Sequence, residues 1–204
     1  MRKNIGQIYT GETQSIGIVS GKKGEGNTTM TICIASYLSG VKRLRTAAVE
    51  VGKTSDFEEI EEMYFGGRDR IASGKGFNLY DVDYYHVDDI SGIGWIYGEG
   101  YDCVVVDFGN QYEQYMKELV RCSMKIVLGS VNMWRYDQYL KLCTYLEGVT
   151  GSDRWFHIIG GDGDDVKKHL KRFGLSGVQR VSIETPYIIG NKQLEFFQRI
   201  LNKQ

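Results

Sequence analysis

Proline is nearly absent from this chain of 204 residues, which contains a single one, Pro186. A proline-rich linker and a collagen-like helix are therefore excluded, although glycine is abundant at 26 residues. The sequence also lacks an apolar run of about 18 residues, the length that a membrane-spanning helix requires. Residues 1–14 contain no apolar stretch typical of a signal peptide, so we expect a cytoplasmic protein.

Cysteine and net charge are low as well. The four cysteines form no CxxC pair, so we do not expect a metal site built from them. The formal net charge of -1 gives no overall electrostatic case for binding nucleic acid. Hydrophobic residues make up 42% of the chain and charged residues 25%, which is ordinary for a globular protein. At this length we predict one domain spanning residues 1–204.

Short apolar runs alternate with amphipathic segments of helical length along the chain. The predicted strands are 15–20, 46–51, 77–82, 101–108, 124–130, 155–160 and 178–183. The predicted helices are 28–40, 56–64, 111–121, 134–146, 164–173 and 192–202. The valines of Tyr101–Phe108 are typical of a strand that is covered on both faces. The alternation predicts an α/β fold in which a parallel sheet is flanked by helices on both faces.

The segment Ile16–Thr29, IGIVSGKKGEGNTT, is the most informative part of the sequence. A predicted strand runs into glycines, and a helix then begins with two threonines. Glycines allow successive backbone N–H groups to surround an anion, and the N-terminus of a helix adds partial positive charge. Gly21, Gly26 and Thr28 match the phosphate-loop pattern GxxxxGK[ST], whereas Asn27 stands at its lysine position.

Residues 20–29, SGKKGEGNTT, resemble without a gap the deviant Walker A motif SGKGGxGKTT of the MinD/ParA ATPases. The resemblance places the signature lysine of that family, which reaches the phosphates across a dimer interface, at Lys22. One glycine of the family falls on Lys23, and the residue that binds Mg²⁺ falls on Thr28. The residues that the resemblance implies for binding ATP or ADP are Gly21, Lys22, Lys23, Gly24, Glu25, Gly26, Asn27, Thr28, Thr29 and Asp107.

Later segments are similar to the same family. YDCVVVDFGN resembles its Walker B strand, with Asp107 at the acidic position, which implies a second Mg²⁺ ligand. AAVEVG resembles the segment VxxDxD, with Glu50 at the first aspartate and Gly52 at the second, the residue implied in water activation. Gly160 and Gly161 stand where the family has an asparagine that contacts adenine. From the residues alone, Asp107 could instead serve only to hold Thr28, and Glu50 could be structural.

Two substitutions lower the expected rate of hydrolysis. The Walker lysine brings a full positive charge to the β and γ phosphates, whereas Asn27 offers a neutral amide. Gly52 also lacks a carboxylate, and together these losses should cost on the order of 10³-fold or more in rate. The resemblance therefore implies a P-loop NTPase fold and a degenerate nucleotide-binding protein with weak or no hydrolysis.

The resemblance also implies ligands and partners. They are ATP or ADP with Mg²⁺, a homodimer, and a protein partner in a localisation or surface-assembly system, such as that of the TadZ/CpaE-like pilus proteins. Two alternatives stay open. One is a slow ATPase in which Lys22 and Lys23 replace the lost charge, and the other is a scaffold that binds no nucleotide.

Two apolar features each allow two interpretations. Leu194, Phe197, Ile200 and Leu201 share one face of the last predicted helix, which could dock on the protein or lie on a membrane surface. Few cations flank this face, so we expect the docked helix. The segment Trp134–Tyr136 follows a predicted strand and would suit a protein interface or the packing of a helix start.

Overall fold

The computed structural model describes residues 13–53, 56–66 and 76–201. The strands in these ranges are β1 (Gln14–Ser20), β2 (Thr46–Val51), β3 (Gly76–Leu79), β4 (Val82–Val87), β5 (Cys103–Asp107), β6 (Met124–Ser130), β7 (Phe156–Gly160) and β8 (Gly177–Gln179). The α-helices are α1 (Asn27–Gly40), α2 (Asp56–Phe65), α3 (Ile93–Gly98), α4 (Tyr112–Leu119), α5 (Met133–Glu147), α6 (Gly163–Phe173) and α7 (Asn191–Leu201). The predicted end of the last helix at Asn202 lies outside the described residues.

The eight strands form one sheet in the order β3-β4-β2-β5-β1-β6-β7-β8. All neighbouring pairs are parallel except β3 and β4. Helices α1, α2 and α7 bury their apolar side chains against one face, and α3, α4, α5 and α6 cover the other. Valines of β5 alternate between the two faces, with Val105 on the first and Val104 and Val106 on the second. The predicted parallel α/β sheet is confirmed, with one antiparallel edge strand added.

The prediction of one strand at residues 77–82 is wrong. The chain turns at Tyr80 and Asp81, whose φ angles of 53° and 62° give the mirror-image turn that joins hairpin strands. Two antiparallel strands, β3 and β4, result from this turn. The turn lacks the glycine or asparagine that usually marks such a position, so the sequence did not reveal it.

The predicted strand at residues 178–183 is also too long, since β8 ends at Gln179. The backbone N–H of Arg180 still donates to the carbonyl of Ile159 in β7, and the chain then leaves the sheet. The guanidinium of Arg180 reaches the loop that follows β1, where it donates to the carbonyl of Glu25.

The C-terminal helix α7 is docked on the sheet, as expected. Phe196, Phe197 and Ile200 are buried, and the ring of Phe197 lies 5.4 Å from the ring of Tyr37 in α1. The apolar face of α7 is thus occupied by the protein core. Among the described helices, none combines the length and apolar character needed to cross a membrane.

Buried His157 gives the fold a dependence on pH. Its Nδ1 lies 2.7 Å from the hydroxyl of Tyr139 in α5, and burial lowers the pKa of His157 to about 4, with a smaller contribution from His169. The unfolded chain keeps the ordinary pKa near 6.5. As pH falls from 6.5 towards 4, the unfolded state therefore takes up a proton that the folded state excludes, and stability is lost.

The expected loss between pH 7 and pH 4 is on the order of 3 kcal/mol from His157. Urea unfolding of the wild type and of His157→Gln at pH 7 and pH 4.5 measures this contribution. The variant should lose less stability across the interval than the wild type. Equal losses would show that His157 does not carry the dependence.

Candidate functional site

The loop between β1 and α1 has a backbone that requires glycine. Gly24 and Gly26 have φ angles of 81° and 86°, in the left-handed region that residues with a Cβ rarely adopt. A Cβ on Gly21 would lie 2.4 Å from the carbonyl oxygen of Gln138 in α5, so the loop packs closely on that helix. The glycines that match the phosphate-loop pattern are thus explained by the shape of the loop.

The loop opens on a cavity of about 340 Å³. This volume lies at the lower end of the range for ligand pockets and suits phosphate groups rather than a whole nucleotide. Of the ten candidate residues, all except Gly21 and Glu25 line it. The residues that line it without having been predicted are Ser20, Asp56, Gly109 and Asn110.

Two larger cavities, of about 630 and 480 Å³, lie elsewhere. The larger one is lined by residues at the start of β6, such as Lys125, and by Arg199 of α7. Open parallel sheets hold their ligands at the carboxyl ends of the strands, where the loop cavity lies. Position in the fold therefore favours the smaller cavity.

Thr28 and two carboxylates meet inside the cavity. The Thr28 Oγ1 lies 2.6 Å from Asp56 Oδ2 and 3.1 Å from Asp107 Oδ2. The other oxygen of Asp107 accepts a hydrogen bond of 2.8 Å from the backbone N–H of Gly109. Hydroxyl and carboxylate oxygens are the ligands that Mg²⁺ prefers, so this donor set fits the ion. The structure brings the two candidate metal ligands, Thr28 and Asp107, into contact.

Burial changes the ionisation of Asp107. Removal from water raises the pKa of its carboxyl to about 7, the bond from Gly109 lowers it, and the Glu50 carboxylate raises it again. Glu50 lies opposite Asp107 in the pairing of β2 with β5 and is fully buried. Its Oε2 accepts from the backbone N–H of Phe57 at 3.1 Å and lies 3.3 Å from Nδ1 of His86. This site therefore brings two buried carboxyl groups close together.

Asn27, at the lysine position, joins two strand ends. Its Nδ2 donates to the carbonyl of Gly109 at 2.9 Å, and the backbone N–H of Ser20 donates to the same oxygen at 2.9 Å. The neutral amide is buried and holds the start of α1 against the segment after β5. Lys22 and Lys23 line the cavity and are exposed, so positive charge is present at its rim.

Glu25 does not line the cavity but is held by two arginines. Its Oε1 lies 3.3 Å from Nη1 of Arg135, which also donates to the carbonyl of Gly24 at 2.7 Å. Its Oε2 lies 3.7 Å from Nη2 of Arg180. Burial lowers the pKa of Arg180, and Glu25 counteracts this effect. We call Glu25, Arg135 and Arg180 the loop clamp, because they tie the loop to α5 and to the end of β8.

The three side chains of the Trp134–Tyr136 segment have different surroundings. Arg135 faces the loop, and the hydroxyl of Tyr136 lies 3.0 Å from Nδ1 of His169. Trp134 is 78% exposed and the preceding Met133 is 83% exposed. Of the three predicted residues, Trp134 is thus the one largely exposed apolar side chain, and Met133, which was not predicted, is exposed beside it.

Gly52 has a conformation that excludes a simple exchange for aspartate. Its φ is 99°, and an added Cβ would lie 3.1 Å from both the Oε1 of Gln111 and the hydroxyl of Tyr115. Its backbone N–H donates to the carbonyl of Val87. The backbone conformation at residue 52 therefore favours glycine over a residue that carries a carboxylate.

Comparison with solved structures identifies the fold. A plasmid partition protein of Borrelia burgdorferi, bound to AMPPNP, matches with a TM-score of 0.66 and 18% identity over 94% of this chain and 99% of its own. MinD of Aquifex aeolicus matches with a TM-score of 0.65 and 14% identity over 94% and 98%. A ParA family ATPase of Chlorobium tepidum matches with a TM-score of 0.58 and 16% identity over 96% and 94%. No protein-family model and no curated protein matches the chain.

The chain therefore has the P-loop NTPase fold of the MinD/ParA type. The order of strands, the loop after β1 and the carboxylate at the end of β5 agree with this assignment. At these identities the comparison defines the architecture alone, and the activity is argued from the site.

Proposed function

We propose that this protein binds a nucleoside triphosphate with Mg²⁺, holding its phosphates in the loop cavity, and acts through binding, with weak or no hydrolysis. The observation that carries the proposal is the contact of Thr28 with Asp107 beside a glycine-shaped loop at the start of α1. This arrangement offers backbone N–H groups to phosphates and oxygen ligands to a cation at the same place.

Each group in the cavity has a part in that binding. Thr28 and Asp107 would hold Mg²⁺, which neutralises phosphate charge when bound. The backbone of Gly24 and Gly26, together with the N-terminus of α1, would surround the phosphates. Lys22 and Lys23 bring positive charge to an otherwise acidic cavity. ATP and ADP are the proposed nucleotides.

We further propose that the nucleotide favours a homodimer of a single-domain, cytoplasmic protein that recruits another protein. Nucleotide held between two loops by Lys22 would shift the population towards the dimer. Support comes from the likeness to a plasmid partition protein and to the MinC:MinD cell division complex of Aquifex aeolicus, the latter with 12% identity and a TM-score of 0.63. Met133 and Trp134 form an exposed apolar surface that directly precedes Arg135 of the loop clamp. Positioning a surface apparatus such as a pilus is the role that we assign.

Replacing Asn27 by lysine tests whether the loop holds phosphate. A charge-assisted hydrogen bond gains about 1 kcal/mol over a neutral one, so Asn27→Lys should bind Mg²⁺–ATP about fivefold more tightly than the wild type. Fluorescence titration with a labelled ATP analogue measures the two affinities. Asn27→Gln, which keeps a neutral amide, is the matched control and should show no gain.

The outcomes separate the proposal from its alternatives. Wild-type binding with a gain in Asn27→Lys supports it. Binding that Asn27→Lys leaves unchanged would show that the loop does not hold phosphate in the manner of this fold. Absence of binding in all three proteins would leave a scaffold free of nucleotide, and Mg²⁺-dependent turnover by the wild type would leave a slow ATPase.

A further inference from the structure

Asp56 is the one acidic residue in the cavity that neither the motif nor the resemblance assigns. It is the first residue of α2, and its carboxylate reaches across to the hydroxyl of Thr28 at the start of α1. We propose that Asp56 supplies a third protein oxygen, beside those of Thr28 and Asp107, to the divalent cation that accompanies the nucleotide. This inference rests on the proposed function of the cavity.

Hydrogen-bond counting supports a cation at this place. A threonine hydroxyl has one hydrogen and can donate to one acceptor at a time. Thr28 Oγ1 nevertheless lies within 3.1 Å of carboxylate oxygens from both Asp56 and Asp107. One of the two contacts therefore joins oxygens without the hydroxyl's hydrogen between them. A proton on Asp107, whose pKa burial raises to about 7, can fill that contact when no ion is bound. A cation that takes all three oxygens as ligands satisfies the whole arrangement and leaves both carboxylates ionised.

The charges around the cavity point the same way. Glu50 and Asp107 are both buried, and Oε1 of Glu50 has no hydrogen-bond partner among the described residues. Among the described residues, one basic side chain, His86, lies within ion-pair distance of these carboxylates or that of Asp56, and its partner is Glu50. The other ring nitrogen of His86 lies 3.8 Å from Asp88. Buried carboxylates without compensating charge are costly, and a divalent ion would offset that cost.

Asp56 is well placed to respond to such an ion. It is exposed and lies on the rim of the cavity, whereas Asp107 lies inside it. The backbone N–H of its neighbour Phe57 donates to Glu50, so the first turn of α2 contacts both Glu50 and Thr28. If Asp56 only held Thr28 by a hydrogen bond, it would stabilise the fold without changing how the affinity for the nucleotide depends on Mg²⁺. The two roles therefore differ in a measurable property.

The test uses the full chain and a labelled ADP. It measures the Mg²⁺ concentration at which the affinity for ADP has gained half of its maximal increase. ADP avoids any contribution from turnover. Asp56→Asn should raise this concentration about 10-fold or more. Affinity in the presence of EDTA should not fall, because the variant removes a negative charge beside the phosphates. Glu58 lies in the same turn of α2, is exposed and does not line the cavity, so Glu58→Gln should match the wild type. Thermal melts confirm that both variants are folded.

Mn²⁺ provides a second readout that does not depend on nucleotide fluorescence. In the presence of ADP, the paramagnetic resonance signal of free Mn²⁺ should fall less with Asp56→Asn than with the wild type. Equal Mg²⁺ and Mn²⁺ dependence in Asp56→Asn and the wild type would overturn the inference and leave the proposed function intact. If the wild type binds no nucleotide at all, the proposed function fails, and this inference fails with it.

Discussion

Purified protein with Mg²⁺ and ATP is expected to release phosphate on the order of 10³-fold or more slowly than a P-loop ATPase that retains its lysine and catalytic carboxylate. The neutral amide of Asn27 is engaged with the carbonyl of Gly109 and brings no full charge to the transferred phosphoryl group. Gly52 offers no carboxylate to orient the attacking water. Steady-state phosphate release measures the rate, and Thr28→Val provides the background of a cavity without its cation ligand.

Restoring the missing groups should not restore the activity. An aspartate at residue 52 would have to adopt a φ near 99° and would crowd Gln111 and Tyr115. The double variant Asn27→Lys/Gly52→Asp is therefore expected to gain affinity for the triphosphate but little turnover. Rapid Mg²⁺-dependent release by the wild type, abolished by Thr28→Val, would contradict this part of the account.

Removing the carboxylate of the loop clamp should destabilise the protein by about 3 kcal/mol, at the lower end of the range for breaking a buried ion pair. Glu25→Ala leaves the guanidinium of Arg180, which is 24% exposed, without a carboxylate, and only its bonds to the backbone carbonyls of residue 25 and Gly129 remain. Arg135 is 40% exposed and can turn to water, which keeps the loss at the lower end. Urea unfolding at neutral pH measures the change in the free energy of unfolding.

Two controls make the measurement specific to the clamp. Glu118→Ala breaks the pair between Glu118 of α4 and Arg121, which follows that helix and is 75% exposed, and should cost less than about 1 kcal/mol. The double variant Glu25→Leu/Arg180→Met removes both charges and should recover part of the loss. Equal stabilities for Glu25→Ala and Glu118→Ala would show that the clamp does not stabilise the loop.

The sequence predicted the sheet well because buried parallel strands are nearly continuous apolar runs. The observed bounds of β2 and β6 equal the predicted ones, 46–51 and 124–130. The hairpin of β3 and β4 escaped prediction because Tyr80 and Asp81 adopt positive φ without a glycine or asparagine in the turn. Local pattern thus defines strands more reliably than it defines turns.

The candidate site was only partly visible in the sequence. The motif identified Thr28 at the start of α1, and the resemblance to a Walker B strand identified Asp107 at the end of β5. Asp56, Arg135 and Arg180 come from separate segments that only folding brings to the loop. Their contacts depend on where α2, α5 and the end of β8 pack, which no motif encodes. The charged Glu25 inside a phosphate loop was the one sequence signal that a cationic partner would be needed.

The decisive measurement is calorimetry of the wild-type chain with Mg²⁺–ATP, together with a sizing column run with and without ATP. We expect an affinity in the micromolar range, about -8 kcal/mol, and a shift to the dimer. Absence of heat and of any shift at millimolar ATP would contradict the proposed binding and dimerisation.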